Sequence, residues 1–104
     1  MNESFILPEA EKIMQNVPVT IINQLGLHTR AAAKLVSLAA SFQSQIEIVR
    51  RDSGKKANCK SIMAIMLLGV TCGTQLDLLV TGDDELEARD AIIELINSRF
   101  GEAE

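Results

Sequence analysis

The chain has 104 residues, 47% apolar and 23% charged, the size and balance of one ordinary globular domain rather than two. A formal net charge of −4, no Trp or Tyr and only three Phe supply neither a basic footprint nor stacking platforms, so nucleic-acid binding is not expected. The longest apolar run, Ile62 to Val70, is interrupted by Gly69 and falls short of the about 20 residues that cross a bilayer; Glu3, Glu9 and Glu11 are the reverse of a secretory n-region, so we expect a cytoplasmic protein without membrane insertion.

Residues 1–16 read apart from the rest. Pro8 restricts Leu7 to extended geometry, and Glu9 to Met14 form at most a short helix, so this stretch is treated as an N-terminal extension to a domain at residues 17–104. Val19 to Ile22 is mostly β-branched, with Val19 and Ile21 on one face, and reads as a strand that ends in Asn23-Gln24-Leu25-Gly26. From Thr29, Ala32, Leu35, Val36, Ala39 and Phe42 recur at helical spacing. Gln45 to Arg50 alternates as a strand with Ile46 and Ile48 inward; Asp52-Ser53-Gly54 makes a tight turn, and a short strand over Lys56 to Cys59 pairs back.

Ser61 before the apolar Ile62 to Leu67, with Gly69 after them, predicts an N-capped, short and deeply packed helix with a left-handed C-terminal residue. Leu76, Leu78 and Val80 share one face of a further strand. Gly82-Asp83-Asp84 closes it and caps a last helix running to about Phe100, with an inner stripe of Ala88, Ala91, Ile92, Leu95 and Ile96. Glu102 to Glu104 is expected to be a frayed acidic end. The order β-α-β-β-α-β-α implies an α+β two-layer domain, its antiparallel or mixed sheet covered on one face; periodicity does not give the strand order. Cys59 and Cys72 lie thirteen apart without a CxxC pattern, and the single histidine completes no zinc site with them. Both are read as small buried hydrophobes, with no metal and no cofactor.

That histidine, His28, stands where a strand-following loop turns into a helix, in Gly26-Leu27-His28-Thr29-Arg30-Ala31-Ala32. The first backbone N–H groups of a helix, here including Thr29 and Ala31, lack intrahelical partners and favour an anion such as phosphate. Arg30 adds a permanent cation whose planar fork suits phosphate oxygens. A neutral imidazole beside such a site has a lone pair to offer phosphorus. The bland alternative, a histidine that merely ends a helix at the surface, is left open by the residues alone.

The same seven residues resemble the active-site signature of the HPr phosphocarrier family of the bacterial phosphoenolpyruvate-dependent phosphotransferase system. Lys60 to Gly69 resembles that family's second signature, and the likeness covers about Val17 to Phe100. Asn23 to His28 and Ile96 to Phe100 look most like the nitrogen-type branch. The resemblance implies an HPr-like open-faced sandwich, a four-stranded antiparallel sheet with three helices on one face. It also implies that His28 takes a phosphoryl group from enzyme I at Nδ1 and passes it to an EIIA-type protein, steadied by Arg30, in a sugar-uptake or nitrogen-regulatory relay. Ala31 departs from the family's usual proline, which loosens the helix start without removing a donor.

Ser61 falls at the family's regulatory serine, the target of HPr kinase/phosphorylase where that enzyme exists; its local role as N-cap is compatible with modification. Ile62, Met63, Met66 and Leu67 have the helical spacing of core residues, while the resemblance favours a docking face for enzyme I and EIIA; Lys34 and Lys60 are candidates to ring it, although scattered lysines are usually only solvated surface. A handover surface suits a monomer, and the chain is read as a carrier rather than a stand-alone turnover enzyme. The competing reading is a regulatory binding module whose phosphorylation is only a signal. A thiol-dependent or metal hydrolase has little support without a second histidine.

Overall fold

The computed structural model describes residues 14–104; the expectations for Leu7 and for a helix from Glu9 lie outside the described residues. Chain order is β1 (Gln15–Thr20), α1 (Thr29–Ala40), β2 (Gln45–Arg50), β3 (Lys56–Asn58), α2 (Ile62–Leu68), β4 (Gln75–Thr81) and α3 (Glu85–Asn97), followed by a 3-10 turn at Arg99–Gly101. The strands form one sheet in the order β1-β4-β2-β3, with each neighbouring pair antiparallel. β1 thus pairs with β4 rather than with β2, and Pro18, which has no N–H for a ladder, stands in an edge strand where it is tolerated.

Alternation along each strand sets one face of the sheet against the helices. Val17 is opposite Leu78, Leu78 opposite Ile48 and Ile48 opposite Ala57, so a single row of apolar side chains crosses all four strands. A register slip of one residue would turn any of these strands' apolar set toward water. The helices answer with Ala32, Leu35 and Ala39 from α1, Ile65 and Leu68 from α2, and Ala88, Ile92 and Ile96 from α3, all in one core cluster with the sheet row. Val36, Phe42, Ala91 and Leu95, expected on inner stripes, are half-buried at its margin.

Several expectations fail. α2 is not deeply packed: its sequence is apolar all round, but it spans only 7 residues and buries only Ile65 and Leu68. Cys72 is exposed in the turn before β4, whereas Cys59 is buried and its thiol is pushed up to about 12 by burial. The last helix stops at Asn97 rather than near Phe100. Arg99 and Phe100 then adopt φ of 58° and 54°, a left-handed conformation costly for side chains with a Cβ. The reversal drives Phe100 fully into the core and sends Glu102 back under α1, so the chain end is docked rather than frayed.

Asp84 occupies the N-cap position of α3, but its side chain does not cap that helix. It reaches the α1–β2 loop instead, accepting from the backbone N–H groups of Gln43 (2.9 Å) and Ser44 (3.0 Å) and from the Ser44 hydroxyl. These donors hold its carboxyl below the usual range, the Ser44 hydroxyl foremost.

Candidate functional site

Tertiary contacts, rather than the histidine's own capping, hold the loop before α1 in place. Gly26 has φ +64°, and a Cβ there would meet the Val70 carbonyl oxygen at 2.6 Å, so both conformation and space require glycine. Leu27 is buried, and its N–H donates to the Val70 carbonyl at 3.0 Å. Asn23 is fully buried and donates from Nδ2 to the Gly26 carbonyl at 2.8 Å. These anchors leave His28 at the N-cap of α1 with extended backbone, φ −69° and ψ 178°.

The imidazole makes no capping hydrogen bond to the helix. The Ala32 N–H reaches the His28 carbonyl at 2.8 Å, which begins the helical ladder. The N–H groups of Thr29, Arg30 and Ala31 precede that ladder, as the first donors of any helix do. Thr29 and Arg30 are exposed, while Ala31 is packed into the core. Arg30 makes no hydrogen bond or ion pair among the described residues.

The ring is 26% exposed and its Nε2 lies 2.5 Å from Oε2 of Glu102, whose side chain is 14% exposed. The other carboxylate oxygen, Oε1, accepts from Asn23 Nδ2 at 3.0 Å. Glu102 is consequently held below its ordinary value of 4.5, chiefly by the hydrogen bond with His28 and then by that from Asn23. Sequence reasoning missed Glu102 and Asn23 as parts of this site. The partners lie 74 and 79 residues apart, and no local pattern signals that the tail turns inward.

At α2 the expected cap forms: Ser61 Oγ accepts from the Ala64 N–H at 3.2 Å, and Gly69 takes φ 65° at the other end. Arg50 Nη1 donates to the Leu68 and Gly69 carbonyls at 3.0 and 2.9 Å, tying the helix C-terminus to β2. Met63 and Leu67 are 67% and 81% exposed, and Ile62 and Met66 are both 39% exposed. Ile22 and Leu25, in the loop ahead of His28, are also exposed and were not singled out from sequence. Lys34 and Lys60 each donate from the ammonium at 2.7 Å to a backbone carbonyl, of Phe100 and Phe42 respectively.

Among the described residues, no cluster of His, Cys, Asp and Glu could hold a metal ion, and no helix is long and apolar enough to cross a membrane. What the site offers is an accessible imidazole with one nitrogen engaged by a carboxylate, next to open helix donors and the exposed Arg30.

Comparisons with known proteins span most of the described chain. The family model described as PTS HPr component phosphorylation site matches residues 16–98. The phosphocarrier protein HPr of Cupriavidus necator is 49% identical over 85 residues, 82% of this chain and 93% of its own. The phosphocarrier protein NPr of Shewanella violacea is 44% identical over 85 residues, 82% of this chain and 91% of its own. A crystal structure of HPr from Thermoanaerobacter tengcongensis superposes with a TM-score of 0.82 at 47% identity, covering 86% of this chain and 99% of that one.

Proposed function

We propose, for a chain that belongs to the HPr family of phosphocarrier proteins of the bacterial phosphotransferase system, that the phosphoryl group rides on His28. One observation carries this reading: the chain's only histidine is accessible at the open N-terminus of a 12-residue helix, with its ring making no use of the helix donors. Those donors and Arg30 can neutralise phosphoryl oxygens, and positioning with charge neutralisation is most of what phosphoryl transfer requires. A shallow, exposed site also lets the group leave again, which a carrier needs and a stand-alone enzyme does not.

Phosphorylated enzyme I is the donor and an EIIA-type protein the acceptor in this reading. The carrier domain begins with β1 at Gln15, two residues before the boundary expected from the sequence, the residues ahead of it are an extension, and the protein works as a cytoplasmic monomer. The exposed Ile62, Met63, Met66 and Leu67 form the docking face, since apolar side chains left in water on a short helix gain most from a partner. Ser61 is the regulatory position. A phosphate there, carrying about −1.5 to −2 charge, would burden that face with charge where HPr kinase/phosphorylase is present.

Incubation with phosphoenolpyruvate and a catalytic amount of enzyme I, read by intact mass, tests the assignment. One acid-labile phosphate on the native chain and none on His28→Ala is expected. Phosphate on His28→Ala, or none on either chain, would sink it.

A further inference from the structure

We infer that Glu102 is a positioning residue for phosphoryl transfer: it holds the Nε2–H of His28, directs the attacking lone pair to Nδ1 and stabilises the charged ring that results. The inference rests on His28 being the phosphoryl acceptor. Glu102 itself lies beyond residues 16–98, the part of the chain that the family comparison matches.

The carboxylate is built into the site. Phe100, fully buried, anchors the tail, and Lys34 Nζ grips its carbonyl at 2.7 Å. Two residues on, the Glu102 N–H donates to the Arg99 carbonyl at 2.9 Å, and the Glu104 carbonyl accepts from the Gln24 N–H. Asn23, wholly buried, presents Nδ2 to both the Gly26 carbonyl and Glu102 Oε1, which fixes its amide orientation because the opposite one would set oxygen against oxygen. Glu102 therefore meets His28 from a frame of buried contacts, at 2.5 Å.

An ionised carboxylate only accepts hydrogen bonds, so the nitrogen facing it carries the proton. The neutral ring then has its lone pair at Nδ1. In the transfer step, that lone pair forms the Nδ1–P bond while the bond from phosphorus to the donor's leaving nitrogen breaks, its electron pair staying with the donor. The proton remains on Nε2, the ring becomes an imidazolium, and Glu102 balances the charge. Handing the phosphoryl group on returns the lone pair to Nδ1, so neither half-step moves a ring proton. The logic is that of a carboxylate orienting a catalytic histidine.

Two measurements test this on the full chain. In the native protein, imidazole nitrogen-15 NMR is expected to show a neutral ring protonated at Nε2, with a hydrogen-bonded Nε2–H that Glu102→Ala loses, and the phosphate on Nδ1. A neutral ring protonated at Nδ1, or phosphate on Nε2, overturns the inference. Initial rates of phosphorylation by enzyme I and phosphoenolpyruvate are expected to fall about 10- to 100-fold in Glu102→Ala, by analogy with metal-binding histidines that lose their orienting partner. Glu102→Gln, close in shape and able to accept the same hydrogen bond but uncharged, is expected to fall less and to guard against a folding defect. Unchanged or faster rates in both variants overturn the inference while leaving His28 as acceptor. A native chain that takes no phosphate overturns both.

Discussion

The N-termini of α1 and α2 begin with the same local grammar and end with opposite assignments. At α2, the Ser61 hydroxyl turns back and satisfies the Ala64 N–H, so a helix donor is answered from within. At α1, the N-cap side chain is a histidine that makes no such bond; it is drawn instead toward Glu102. A self-capped terminus is finished structurally, whereas one whose cap residue is held elsewhere keeps its donors for a visitor. The difference lies less in the two helices than in what approaches them from a distance: a chain end folded back beneath α1, and nothing comparable among the hydrogen bonds at Ser61.

The largest effect should come from removing the visitor's anchor. His28→Ala is expected to abolish acid-labile phosphorylation with only a partial loss of urea stability, because the ring caps nothing and the one contact removed is that with Glu102. A mass measurement and a denaturation curve check the two halves separately. Loss of both would mean that this terminus, like that of α2, is structural.

Gly26→Ala attacks the frame rather than the chemistry. The new Cβ would press on the Val70 carbonyl at 2.6 Å in a left-handed backbone, so a destabilisation of about 2 kcal/mol or more is expected, with slower phosphorylation as the loop shifts. An unperturbed melting curve would show that the loop is softer than its contacts imply. Ser61→Ala sits on the other side of the comparison, and loss of the cap is expected to cost about 1 kcal/mol with His28 still phosphorylated. Ser61→Asp keeps a capping oxygen and so is expected to retain most of that stability; slower transfer from enzyme I in that variant would locate the effect on the docking face.

Much of this architecture is local and therefore legible in the sequence. The alternation of Ile46 with Ile48 and of Leu76, Leu78 and Val80, and the stripe of Ala32, Leu35 and Ala39, each declare a face within a few residues, and the structure buries those faces. α2 was harder because Ile62 to Leu68 is apolar at every position, and periodicity cannot choose the open face of a helix that offers no polar one. The site divided in the same way. His28 and Arg30 stand in a recognisable segment, but Glu102 and Asn23 act across more than 70 residues through a backbone reversal at Arg99 and Phe100 that ordinary propensity disfavours. Tertiary burial of Phe100 overrides that preference, and no local pattern encodes it.

The smallest expected effect separates the two termini by pH. Glu102 has a carboxyl held below 4.5 in the folded chain by His28 and Asn23, so it binds its proton more weakly there than when unfolded. The stability this contributes is complete above the unfolded value and is lost as pH falls through the lower, folded one. Below about pH 4.5, amides of the docked tail, that of Glu102 included, are expected to exchange faster as the carboxylate is neutralised and its grip on the ring weakens. The Ser61 cap is uncharged and has no titration of its own in this range. The Ala64 amide should therefore hold its protection until the fold as a whole gives way, helped down by the titration of Asp84, whose lowered carboxyl ties α3 to the α1–β2 loop. Hydrogen exchange followed from pH 6 to pH 3 reads both amides in one experiment. If Ala64 and Glu102 lose protection together, the tail is part of the global fold and the two helix starts differ only in chemistry. If Glu102 goes first, the terminus of α1 is held by a separable, charge-dependent contact, as the geometry at His28 implies.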